Sequence, residues 1–419
     1  MKRKLLFTTS FSVFLIGAIS AQQITDTVTT NPSYANEVYY NLQSGNEQSI
    51  LRNDWDLAFA SDGIGFGSST IRINGGQGTE LFLYGNDTTQ WNLVDTTGFN
   101  WQSNQLINAD TSWGIGAFNN NTPQSSFDLG WGTYNMITHL VEGDRIFILK
   151  LSSGAYKKLI VDKLQSSVYY FRYADLNGNN LVNATITKTN HGGQNFGYYS
   201  IQNQQELSRE PVSSSWDLLF TKYVTDLGGG IYYGVTGVLA NVGAKVAQVN
   251  NVSDVNTVSH VGQNYTSDIG TIGYDWKTFN MTTFQYDIED SLVYFVETAN
   301  SEIYKIIFTG FGGSANGNYI FTKELVGTVG LEEELSQNTI LNVYPNPAKD
   351  VVNVVFNASE NENRISIIDI TGKEVVKHQL NLVIGLNKTT VSLNNLKTGV
   401  YFLSITLGNK VETQKLIIQ

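Results

Sequence analysis

The chain has 419 residues, a formal net charge of −11 and a pI near 4.9; outside its first four residues it shows no cluster of Lys and Arg, so the cationic surface that nucleic-acid binding requires is not expected. With no cysteine, disulfides, thiolate nucleophiles, Cys-based metal or Fe–S sites and a lipid anchor on Cys all drop out. Few charged residues (15%) beside 12% aromatics, 39 Gly and 22 Tyr favour strands joined by polar turns, and the predicted fold class is all-β.

Residues 1–21 read as a signal peptide. Lys2, Arg3 and Lys4 form its charged start, Leu5 to Ile19 a mostly apolar stretch broken by Thr8, Thr9, Ser10 and Ser12, and Ala18, Ser20 and Ala21 its small cleavage residues. No later segment offers the roughly 18 uninterrupted apolar residues of a spanning helix, so no membrane span is expected after its removal. Residues 22–36 lack apolar periodicity and read as an N-terminal extension.

Four stations then recur in the same order. Val38-Tyr39-Tyr40-Asn41-Leu42 matches Gly197-Tyr198-Tyr199-Ser200-Ile201, and Trp55-Asp56-Leu57-Ala58-Phe59 matches Trp216-Asp217-Leu218-Leu219-Phe220. Downstream, Trp131-Gly132-Thr133-Tyr134-Asn135-Met136 matches Trp276-Lys277-Thr278-Phe279-Asn280-Met281, and Ala155-Tyr156-Lys157-Lys158-Leu159 matches Ile303-Tyr304-Lys305-Ile306-Ile307. The expectation is two related β-rich units, at about 37–190 and 196–326, whose repeated Trp and Tyr residues mostly fill core. Alternation in Arg145–Lys150 and in Leu292–Glu297, each followed by a turn, predicts a hairpin at the same place in both. An acidic linker is expected at 327–340, carrying Glu332, Glu333 and Glu334. From 341 to 419, short alternating segments with turn residues every 8 to 12 positions predict a small antiparallel β-sandwich.

That last segment closely resembles the type A C-terminal sorting domain of the type IX secretion system. The resemblance lies in Tyr344-Pro345-Asn346-Pro347, in Asp369-Ile370-Thr371-Gly372-Lys373, in Leu396-Lys397-Thr398-Gly399-Val400-Tyr401 and in the closing Lys415-Leu416-Ile417-Ile418. It implies handling by the type IX secretion machinery, export through the periplasm, and release or attachment at the cell surface. Residues 38–326 resemble the HmuY-like family of secreted haem-binding proteins, through the Tyr-Tyr-x-Leu and Trp-Asp-Leu-Ala-Phe stations, Tyr232 to Asn241, and Tyr304 to Phe311. This implies a non-enzymatic binding protein with haem as cofactor, and haem or haem proteins as partners. Haem capture belongs to some members of that family only. The chain also departs from members anchored through Cys, and its unit is duplicated with a long insertion.

Haem iron takes axial His, Met, Tyr or Cys ligands. Of the four His, His378 falls in the sorting segment and His191 in a turn between the repeats. His139 is not dictated by the repeated core, since its counterpart after Trp276 is Phe284, and His260 lies in a polar loop of the other copy. His139 and His260 are therefore the expected axial, iron-binding pair, although each on its own reads first as a surface or turn histidine. Met136 and Met281 occupy matched positions and read as core. Met136 and His139, three residues apart, would face opposite sides of a regular strand. Asp175 to Asn180 carries oxygen ligands at alternate positions but no closing Glu, so an Asn-Gly turn accounts for it as well as a Ca²⁺ loop does. Asp56 and Asp217 read as structural hydrogen-bond acceptors. Without a Gly-x-Ser-x-Gly elbow or a His-Glu-x-x-His pair, no catalysis is expected. Two other readings stay open: surface adhesion or glycan contact through exposed Tyr and Trp, and a structural surface protein without a small ligand.

Overall fold

Runs such as Val293-Tyr294-Phe295-Val296 place β-branched and aromatic side chains on both faces of extended backbone, and such runs form nearly every element of the chain. In a computed structural model, residues 23–64, 68–329, 339–358, 362–381, 385–407 and 410–419 are described. The signal peptide and residues 330–338 of the acidic linker lie outside them. Among the described residues the only α-helix is the four-residue turn Gly313–Asn316, so the all-β expectation holds.

The described strands of the larger unit form five antiparallel sheets. One runs in the order Ile24–Thr29, Asn318–Thr328, Glu302–Phe311, Val293–Glu297, Lys245–Val249. The first of these strands lies in the stretch expected to be an extension. Its alternation is short, but Val28 is fully buried in the core and Ile24 to Thr29 pair with Lys323 to Asn318. An eight-stranded sheet centres on Tyr156–Gln165, which pairs with Ile146–Lys150 and Val168–Asp175 and also carries the small hairpin Gly132–Asn135, Leu140–Gly143. A two-stranded ribbon, Lys277–Asn280 with Gln285–Ile288, stands at the matching sequence position.

The two four-stranded sheets show where the repeated stations meet. Strand Asn36–Tyr40 pairs not with Leu57–Ala60 but with Leu218–Asp226, Tyr40 opposite Leu218 and Tyr39 opposite Leu219. Conversely Phe196–Ser200 pairs with Leu57–Ala60, Tyr199 opposite Leu57 and Tyr198 opposite Ala58. Two aspartates fasten these crossings. Asp56 accepts the Ile201 N–H at 2.7 Å, and Asp217 accepts the Leu42 N–H at 2.7 Å. A buried N–H left without such an acceptor costs about 1–3 kcal/mol, which is the structural role the sequence suggested. Two cores result. One gathers Tyr40, Phe220, Trp276, Phe308, Tyr319 and Phe321; the other gathers Phe59, Trp131, Phe147, Tyr169, Phe171 and Tyr199. Burying each such side chain contributes about 1.5–3 kcal/mol.

The C-terminal unit is a sandwich of a three-stranded sheet (Thr339–Tyr344, Val351–Ala358, Gly385–Ser392) and a four-stranded one (Glu374–Asn381, Glu362–Asp369, Gly399–Leu407, Lys410–Ile418). Its motifs have physical reasons. Asn346 donates to the Lys415 carbonyl at 2.7 Å and accepts the Ile417 N–H at 2.9 Å, tying the opening motif to the closing strand. Asp369 caps its hairpin by accepting the Thr371 and Lys373 N–H groups, and Gly372 supplies the left-handed residue (φ 87°).

Candidate functional site

The hairpin Gly132–Asn135, Leu140–Gly143 is fixed at its base and open at its tip. At the base, Gly143 passes so close to the next strand that a Cβ would sit 1.7 Å from the Val161 carbonyl oxygen. Buried Arg145 holds Asp128 at 2.5 Å and Asp144 at 2.8 Å. Burial alone would raise the Asp128 carboxyl, but Arg145 and the N–H groups of Gln124 and Gly130 outweigh it and hold it below its ordinary range. At the tip, Asn135 accepts the N–H groups of Ile137 and Thr138 through its side chain and that of His139 through its carbonyl. His139 thereby adopts a left-handed conformation, φ 54°.

This turn exposes Met136 (62%) and Ile137 (90%). The Nδ1 of His139, itself exposed, lies 2.7 Å from the Tyr134 hydroxyl. The expectation that Met136 and Met281 are core is thus corrected, Met281 being 74% exposed. Both residues sit just past the last strand residue, in the loop, where hydrogen bonding to Asn135 or Asn280 sets the direction of each side chain and the pleat does not. For the same reason the alternation that separated Met136 from His139 does not apply.

The second hairpin has the same turn. Asn280 accepts the N–H groups of Thr282, Thr283 and Phe284, and Phe284 takes φ 55°. Phe284 is 73% exposed. Phe279, Phe284, Tyr286 and Phe311 line an adjoining cleft of about 600 Å³. Sequence reasoning missed this aromatic surface; the available signal was a Phe at the position that aligns with His139 in the matched stations.

The other titratable candidates resolve individually. His260 is buried in the loop between Lys245–Val249 and Lys277–Asn280, its ring centroid 6.1 Å from that of Phe295 on the five-stranded sheet. His139 stands on a hairpin of the eight-stranded sheet, so the two are carried by different sheets. Both nitrogens of buried His191 are engaged, by Gln194 at 3.2 Å and Glu206 at 2.7 Å, which makes it a structural histidine. Asp175 bonds Lys157 at 2.5 Å and Asn180 at 2.7 Å around Gly178 (φ 88°), a closed turn. Among the described residues no group of three or more His, Asp or Glu is placed to hold a metal ion.

A haem group needs an apolar wall and a side chain with a free lone pair. The first hairpin supplies both, Met136 and Ile137 as surface and His139 as imidazole. With the proton on Nδ1, donated to the Tyr134 oxygen, Nε2 keeps its lone pair and the ring is held in one orientation. The residues present therefore fit one face of the group.

Comparison with known proteins places these features. No curated protein matches the chain. Among solved structures, a "Biofilm associated protein - BSP domain" aligns over 94% of this chain and 68% of its own at 10% identity, with a TM-score of 0.17. Ligand-free PulA from Klebsiella pneumoniae aligns over 90% of this chain and 33% of its own at 10% identity, with a TM-score of 0.15. Likeness at that level supports no structural argument. The family matches are specific by contrast: residues 33–173 match the HmuY protein family and residues 342–419 the secretion system C-terminal sorting domain. The chain therefore carries a region that matches the HmuY protein family, residues 33–173, which contains the His139 hairpin, and a sorting domain that marks it for export, secreted or attached to the cell surface.

Proposed function

We propose that this exported, non-enzymatic binding protein captures haem, with His139 as the first axial ligand. The observation that supports this most is the His139 ring, oriented by Tyr134 at 2.7 Å on an exposed apolar turn inside the HmuY-family region. When bound, haem supplies an iron that accepts an imidazole nitrogen. The chain's own part is to hold that nitrogen outward, to cover porphyrin surface with Met136 and Ile137, and to keep the turn rigid through Asn135 and the Arg145–Asp128 pair. His260 is proposed as the partner ligand; it must leave its place beside Phe295 to serve. The matched crossings fastened by Asp56 and Asp217, and the shared turn of the two hairpins, support a reading of the cargo as two copies of one unit that exchange their first strands. Titrating haemin into the full mature chain tests the reading: a sharpened, shifted Soret band is expected, and a spectrum equal to haemin in buffer overturns it.

A further inference from the structure

A cleft of about 480 Å³ on the eight-stranded sheet is lined by Leu83, Asn104, Leu106, Asn120, Asn121 and Gln124, with Arg145 at its floor. The orientation of three of its carboxamides follows from their partners. The Nδ2 of Asn104 donates to the Asn100 carbonyl at 2.8 Å, that of Asn120 to the Ile107 carbonyl at 3.0 Å, and that of Asn121 to the Gly130 carbonyl at 2.6 Å. A nitrogen must face each of those carbonyl oxygens, so each Oδ1 is fixed as an acceptor. The Asn121 Oδ1 is buried and has no partner, and neither has the Nε of Arg145.

The charges narrow the choice. The Arg145 guanidinium is neutralised by Asp128 and Asp144, and no carboxylate is among the described residues lining the cleft. A divalent cation finds only neutral oxygens there, where carboxylates are the rule. An anion finds no uncompensated cation. What remains is an uncharged ligand rich in hydrogen-bond donors that also carries apolar C–H surface for Leu83 and Leu106. We propose that this cleft binds a neutral carbohydrate, whose hydroxyls donate to the side-chain oxygens of Asn104 and Asn120 and whose ring C–H face lies on the two leucines. Apart from Arg145, whose pairing with Asp128 steadies the neighbouring hairpin, this site shares no residue with the His139 turn, and sugar binding is read separately from haem capture.

The test is saturation-transfer NMR on the full mature chain. The probes are methyl α-mannoside, methyl β-galactoside, methyl β-glucoside and N-acetylglucosamine, with glucose 6-phosphate and Ca²⁺ as charged controls. At least one neutral sugar is expected to receive saturation at its ring protons. Asn120→Ala, a change at an exposed side chain, is expected to weaken it on the order of tenfold, the usual loss when a hydrogen-bond partner is removed from a binding site. A second variant, Gln124→Ala, also at an exposed position, should weaken it less. Absence of transfer to all four sugars, affinity unchanged in Asn120→Ala, or binding of the charged controls alone would each overturn the assignment.

Discussion

Glu210 lies at the seam where the crossed strands meet, and replacing it with Gln should remove a pH dependence from the stability of the whole cargo. Its carboxyl is 3% exposed, accepts the Tyr198 hydroxyl at 2.7 Å and the Asn195 N–H at 3.2 Å, and shares the neighbourhood with buried Glu37. Burial pushes its pKa up, and Glu37 adds to this. Tyr198 and the N–H groups of Asn195 and Phe196 pull it down without prevailing, and it settles at about 8 against an ordinary 4.5. A carboxyl raised on folding contributes stability that is fully present below pH 4.5 and is lost as pH rises through about 8. At 1.36 kcal/mol per pH unit, that interval corresponds to about 5 kcal/mol. Gln imitates the protonated acid, since its NH₂ donates to a Tyr198 hydroxyl turned to accept. Urea unfolding followed by tryptophan fluorescence at pH 5, 6.5 and 8 is the assay. The midpoint of the wild-type protein should fall with pH and that of Glu210→Gln should fall markedly less. Parallel curves would show that the carboxyl is not held protonated and would refute the reasoning.

Further substitutions probe the frame around the hairpin and the seam. Arg145→Ala leaves the buried Asp128 carboxylate with its two N–H donors but no counter-ion, so it should cost about 3–5 kcal/mol; a loss below 1 kcal/mol in denaturant unfolding would contradict the pairing. Asp56→Ala orphans the Ile201 N–H and should cost about 1–3 kcal/mol, and Asp217→Ala should do the same at Leu42, with hydrogen exchange at those two amides as the direct readout. Gly143→Ala drives a methyl into the Val161 carbonyl and should lower the thermal midpoint more than Gly154→Ala, where a Cβ meets nothing within 4 Å and only the left-handed backbone (φ 86°) resists. A chain ending at residue 338 should remain in the periplasm, and fractionation that finds it fully secreted would contradict the sorting role of the C-terminal unit.

Local physics was legible in the sequence and long-range pairing was not. Alternation in Ile146–Lys150 and Val293–Glu297 announced strands, and Asp369 with Gly372 announced a hairpin, because those signals sit within a few residues of what they determine. That Tyr40 would lie opposite Leu218 could not be read, since strand partners far apart in sequence are chosen by which buried faces fit. Ile24–Thr29 was misjudged for the same reason: its partner, Asn318–Thr328, is nearly the whole cargo away. At the candidate site, His139 stood out in the sequence because the matching position after Trp276 is Phe284. Its surroundings were misjudged because a strand parity was applied to a loop, where Asn135 dictates direction. The amide cleft left no sequence signal, as its asparagines are ordinary loop residues until the fold gathers them around one cleft.

The most direct test of haem capture is a haemin titration of His139→Ala, His260→Ala and the double variant beside the wild-type chain. Removing His139 should abolish the shifted Soret band, removing His260 should convert the spectrum to one with a single protein ligand, and the double variant should match haemin in buffer. Wild-type spectra in all three would contradict the assignment.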